Sequence, residues 1–173
     1  MTAPSLSTDP IALAVRALHA MATGDPAEFE LLYHPDAVDQ ENIVQPPSSR
    51  VPGPAGVHAT ALWLRAAFAD LHYDVHQAIA HDALVALHST MHGRHTAPIA
   101  FYAADGSLDS VFPPTGKPFA MTQSHWFTIA DSRINEHWAN RDDLGMARQL
   151  GWIPPTPTYL FKMTRAKRRA LRS

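Results

Sequence analysis

Apolar positions recur along this chain first with a helical period and later with a strand period. Ile11, Val15, Leu18 and Ala22 fall on one stripe, the spacing of an amphipathic helix. Ser7-Thr8-Asp9-Pro10 precedes them, with Asp9 as cap and Pro10 at the first helical position. Gly24 ends this helix, and Asp25-Pro26 opens a shorter one whose buried candidates are Phe29, Leu32 and Tyr33. His34-Pro35-Asp36 breaks it, and Ala37 to Val44 reads as extended. A Pro- and Ser-rich loop follows over residues 45–54. Val57, Ala61, Leu64, Phe68 and Leu71 then share one face of a third helix over residues 56–71.

The period changes after residue 71. His72–His81 and Ala83–His95 read as strands, and residues 96–118 as a long turn-rich connection. Thr122–Ile129 and Arg133–Ala139 flank Ala130-Asp131-Ser132, a turn signal because Asp and Ser hydrogen-bond their own backbone. The pair predicts a β-hairpin. Asp142 and Asp143 stand where the cap of a final helix, LGMARQL, belongs. Helices early and strands late predict an α+β fold. Its curved antiparallel sheet wraps over the N-terminal helices and encloses a pocket. Residues 1–151 form the predicted domain, and residues 152–173 a Pro-rich and then basic tail.

Composition narrows the function. With 46% hydrophobic residues the chain can build a core, and with no cysteine it has no thiol chemistry, disulfide or thiolate metal site. Net charge is −2, which does not suggest a nucleic-acid binder. Residues 1–150 hold all 16 acidic residues and 8 of the 14 basic ones, so the tail is wholly basic. That tail, with Tyr159, Leu160, Phe161 and Met163, reads as a solvated segment or as a helix docked on the acidic body. MTAPSLSTDP lacks the features of an export signal, and no apolar run reaches the ~20 residues that span a bilayer. The expected location is the cytoplasm.

Side chains alternate across a strand. Met121, Gln123, His125 and Phe127 therefore share one face, as do Asn135, His137 and Ala139 on the next strand. If the two faces point the same way, Gln123, His125 and His137 meet on one pocket wall. Histidine titrates near neutral pH, so a facing pair could serve as base and acid; either could equally be a packed histidine with a satisfied hydrogen bond. Asp142 could supply a carboxylate, or act only as a helix cap. Asp39, Gln40 and Asn42 could hydrogen-bond a ligand from the segment after the HPD break. Trp126 and Trp138 lie on the opposite faces, against a helix or a second copy; with the facing inverted, both become pocket walls, and Trp138 is the one counted among the ligand candidates. Asn140 completes the candidate ligand set. Among the 11 histidines, His88 and His92 lie roughly 13 Å apart along one strand, too far to chelate one ion. No metal site is expected.

The chain resembles the SnoaL-like polyketide cyclases (ester cyclases) of the nuclear transport factor 2-like superfamily. The matching pieces are HPD at His34–Asp36, GPAGVHATALWLRAAF, GRH at Gly93–His95, PPTGKPF at Pro113–Phe119, and the hairpin with EHW, Asp142 and RQLG. They span roughly residues 10–151. The resemblance implies a cone-shaped α+β barrel around an apolar pocket, a homodimer, and cofactor-free acid/base closure of a ring on a polyketide-like ester. It places the pocket histidine at His125, a pocket polar residue near Asp39, and His95 within reach of the pocket. It also places the family's acid/base aspartate at Ala139, which can neither give nor take a proton. Two readings follow. One is a cyclase, isomerase or hydrolase of a small apolar carbonyl compound or ester, using His125 and His137 with Asp142. The other is a ligand-binding or dimerisation module without catalysis.

Overall fold

A computed structural model describes residues 9–172. Ser7, Thr8 and most of the N-terminal stretch read as lacking an export signal lie outside the described residues. Helix α1 (Pro10–Thr23) is capped by the Asp9 carboxylate, which accepts from the Ile11 N–H, and α2 (Pro26–Leu32) by Asp25, which accepts from Glu28. Both begin with proline, whose fixed φ suits the first turn. Helix α3 (Pro54–Ala67) packs beside them. Its Arg65 guanidinium donates to the carbonyls of Ala20, Met21 and Gly24 at the end of α1, where the Ala20 carbonyl also accepts the Gly24 N–H.

A five-stranded sheet curves over these helices in the order β1-β7-β6-β3-β2. The strands are β1 (Tyr33–Asp39), β2 (Phe68–His81), β3 (Leu84–His95), β6 (Pro118–Ala130) and β7 (Arg133–Arg141). Val85, Leu87, Phe127 and Ile134 project from its concave face and are buried with Leu18, Phe29 and Leu32 of the helices. The sheet is mixed, because β1 runs parallel to β7. It stays open at its β1 and β2 edges, so it forms a cone-like half-barrel.

Several elements differ from the sequence expectation. Tyr33, assigned above to α2, starts β1, and the strand runs through Pro35 and ends at Asp39. An edge strand tolerates a residue without an N–H, and the β1–β7 register shifts between Tyr33 and Val38. The chain then leaves the sheet through a 3-10 turn at Asn42–Val44. Helix α3 stops at Ala67, and Phe68 and Leu71 belong to β2, where pairing with β3 overrides helical spacing. The 96–118 connection contains a small hairpin of β4 (Ile99–Tyr102) and β5 (Leu108–Phe112). After α4 (Asp143–Leu150) the chain stays on the body. Trp152 is 5% exposed, and α5 (Pro157–Ala170) lies along β5. There the Tyr159 hydroxyl donates to the Pro113 carbonyl at 3.0 Å and Lys167 to that of Asp109.

Bulges in the sheet set which side chains face inward. Between β6 and β7, Thr128 pairs with Glu136 but Ile129 with Ile134, so Asn135 is the extra residue. It is exposed while Ile134 is buried, and the two-residue alternation restarts at His137. The β6–β7 turn is a two-residue loop with Asp131 at φ 49° and Ser132 at φ 60°, the left-handed pair that matches strand twist. Between β2 and β3, Asp70 and Leu71 together oppose Gly93.

Candidate active site

Between the concave face and the helices lies a cavity of about 910 Å³, its open mouth included. Its deep walls are apolar, from Leu18, Trp63, Met91, Phe101, Met121 and Phe127. The polar wall comes from β1, β6 and β7. Alternation along β6 turns Gln123, His125 and Phe127 inward, each buried. Antiparallel pairing sets His125 opposite Ala139 and Phe127 opposite His137. Parallel pairing sets Asp39, the last residue of β1, beside His137.

These side chains form one hydrogen-bonded row. His137 Nδ1 lies 3.2 Å from Asp39 Oδ1, and His137 Nε2 lies 3.0 Å from His125 Nδ1. The same Asp39 oxygen accepts the Glu41 N–H at 3.1 Å. Burial alone would raise the Asp39 pKa. The hydrogen bond from His137, the Glu41 N–H and the Arg141 charge outweigh it, and Asp39 is held below the usual carboxylate range. An ionised carboxylate only accepts, so His137 carries its proton on Nδ1. With both rings neutral, His137 Nε2 accepts from His125 Nδ1–H. His125 Nε2 is then left with a free lone pair. That atom is buried and has no hydrogen-bond partner among the described residues, and the same holds for Gln123 Nε2. Burial, then the neighbouring His137 and Arg141, hold the His125 pKa well below the ordinary histidine value. The row therefore presents a neutral nitrogen base backed by a negative charge two residues away.

This arrangement joins His125, His137, Gln123, Phe127 and Asp39 in one cavity. It leaves the other sequence candidates elsewhere. Asp142 caps α4, its carboxylate accepting the Gly145 N–H at 2.8 Å, and lies outside the cavity lining. Gln40 bonds Glu136 on the outer side, and Asn42 reaches the Ser49 carbonyl across its own loop. Trp138 stacks on Trp126 with centroids 6.2 Å apart on the outer face, and Asn140 is exposed there. His95 is inward-facing but beyond the cavity, packed against Phe68 and Trp152. Burial pushes its pKa down to about 4, against a smaller opposing pull from the Ala97 backbone. Strand parity alone cannot tell a pocket position from one past the pocket's end.

The sequence gives no site role to Arg141, Glu41 or Asp143 in the reading above, yet all three line the cavity. Arg141 sits 3.6 Å from each of the two carboxylates. The period running through His137 and Ala139 reaches Arg141 at its next step, a signal that could have found it. Tyr33 and Tyr73 also line the cavity, and burial raises the pKa of both hydroxyls.

A family model for SnoaL-like polyketide cyclases matches residues 12–150. The chain belongs to this family. It is 30% identical over 154 residues to the aklanonic acid methyl ester cyclase DnrD of Streptomyces peucetius, covering 88% of this chain and 96% of that one. It is 32% identical over 146 residues to the aklanonic acid methyl ester cyclase DauD of Streptomyces sp. strain C5, covering 83% and 80%. Among solved structures, TsrD from Streptomyces laurentii superposes with a TM-score of 0.67 at 24% identity over 85% of this chain and 98% of its own. Wild-type IdmH from Streptomyces antibioticus does so with a TM-score of 0.62 at 27% identity, over 83% and 99%. Within this SnoaL-like fold the position expected to hold the acid/base carboxylate is Ala139, 6% exposed and directly across from His125.

Proposed function

We propose that this SnoaL-like protein is a cofactor-independent cyclase of a polyketide-like ester or ketone, with His125 Nε2 as the atom that moves the proton. The observation that carries this reading is the Asp39–His137–His125 row, which ends on a buried nitrogen without a partner among the described residues. In the first step His125 Nε2 takes a proton from the carbon beside a substrate carbonyl. The electron pair moves onto that carbonyl oxygen, which the Gln123 amide N–H holds. The His125 Nδ1 proton passes to His137 Nε2, and the His137 imidazolium rests against Asp39. In the second step the enolate carbon attacks another carbonyl of the same molecule and closes a ring. The new alkoxide takes the proton from His125 Nε2, and the row returns to its starting state. One nitrogen thus serves as base and then as acid, and atoms and charge balance without a co-reactant. The methyl ester cyclase relatives point to a methyl ester as substrate. The apolar depth of the cavity suits a largely hydrophobic one. A homodimer joined through the outer sheet face around Trp126 and Trp138 belongs to the same reading.

The methyl of Ala139 favours a second reading, a ligand-binding module that has lost catalysis. Turnover of a panel of polyketide-type methyl esters separates the two, measured for the natural chain, His125→Ala and Ala139→Asp. The proposal expects turnover in the natural chain and its loss in His125→Ala. No turnover until Ala139→Asp restores it would establish the binding-module reading instead.

A further inference from the structure

On the outer face of the sheet, away from the cavity, a second set of polar side chains converges. His72 on β2 pairs directly with His92 on β3, and their rings stack in parallel, 4.7 Å between centroids and 5° from coplanar. The Asp74 carboxylate lies 3.0 Å from His92 Nε2. One donor atom from each of the three residues lies within 4.8 Å of the others. We propose that His72, Asp74 and His92 bind one divalent transition-metal ion of the zinc class.

The donor set is two imidazoles and one carboxylate, which suits zinc and leaves a fourth position for water. Two ligands of a tetrahedral zinc ion stand about 3.4 Å apart at the usual bond lengths. The donors therefore need to close by little more than an ångström, within reach of exposed side chains. His72 is already oriented, because its Nδ1 lies 2.8 Å from the Asp70 carbonyl. A carbonyl only accepts, so that nitrogen holds the proton and Nε2 is free to ligate, the outer-shell arrangement that fixes ligating histidines. The carbonyl is aimed by the β2 bulge, where Asp70 takes a φ of 57° and its carboxylate lies 3.5 Å from Arg94 Nε. An ion would replace the proton between His92 and Asp74 and tie the edge strand β2 to β3. The expectation of no metal site weighed histidines along one strand; this set is assembled across two.

A second histidine couple on the same strands is a control, in which His88 pairs with Gln77 and His76 is the bulged residue. His76 Nε2 is bonded to Thr90 Oγ1 at 2.7 Å, and His76 and His88 have ring centroids 5.5 Å apart. The test is zinc chloride titrated calorimetrically into the tag-free full chain, with cobalt(II) absorption as a second probe. One saturable equivalent is expected, together with a higher unfolding temperature on zinc addition. His72→Ala and His92→Ala should each weaken binding more than about tenfold, since losing even an outer-shell partner costs ~10–100-fold. Both should abolish the thermal shift, while His76→Ala, His88→Ala and His125→Ala leave binding and shift in place. Three results would overturn the site: no saturable binding, affinity unchanged in His72→Ala and His92→Ala, or binding lost in His125→Ala.

Discussion

A carboxylate that accepts a hydrogen bond from one imidazole nitrogen favours the protonated ring and makes the far nitrogen more basic. Asp39 stands beside His137 Nδ1 in this relation, and the far nitrogen of His137 lies 3.0 Å from His125 Nδ1. Under the proposed function, the carboxylate that the family resemblance places at Ala139 would be supplied from another strand, with an imidazole between it and His125. Asp39→Asn keeps the shape and removes the charge. It is expected to lower kcat at least about tenfold, within the ~10²–10⁴ that acid/base catalysis contributes, with KM little changed. The acid limb of the pH–rate profile should move to lower pH, because the negative charge that would stabilise a protonated row is gone. A limb that stays in place while activity falls would assign Asp39 a packing role only. In the natural chain the acid limb itself should lie below the ordinary histidine value of ~6.5, since His125 is held well below it. At this scale His125, His137 and Gln123 were legible because strand parity is a local property. The partnership with Asp39 was not, because it depends on β1 joining β7 in parallel across 98 residues of sequence.

Strand registers decide which of those side chains meet. Asn135 is the extra residue of the β6–β7 bulge, and without that insertion Ile134 and His137 could not both face inward. Gly93 plays a comparable part on β3. It lies opposite the β2 bulge, and a Cβ there would stand 2.9 Å from the Phe119 ring. Gly93→Ala should destabilise the fold by roughly 1–3 kcal/mol, the cost of overpacking a filled core, read as a lower urea midpoint. An unchanged midpoint would mean that Phe119 yields freely. The hairpin turn, the α1 and α4 caps and the α3 stripe were readable from sequence, since caps and turns are written in adjacent residues. The bulges, the β4–β5 hairpin and the end of α3 at Ala67 were not, because each is settled by a partner strand.

Taken whole, the fold keeps histidines neutral inside it, and that makes its stability sensitive to acid. Unfolded histidine takes up a proton near pH ~6.5, whereas folded His95 does so only at about 4. The unfolded state binds more protons across that window, so stability falls as pH drops through it. His125 contributes in the same direction. Asp39, held below the carboxylate range, contributes stability that is lost only in still more acid solution. His95→Leu is expected to flatten the fall in urea midpoint between pH 6.5 and 4 (~6.5 being the unfolded histidine value). An unchanged slope would assign the acid sensitivity to other groups. The central claim is that His125 Nε2 removes a carbon-bound proton in the cavity, and the most direct test is deuterium wash-in. A polyketide-type methyl ester is incubated with the protein in heavy water, and exchange at the carbon beside the carbonyl is followed by proton NMR. Exchange is expected with the natural chain and only at the uncatalysed rate with His125→Ala; equal exchange with both proteins, or none with either, would contradict the account.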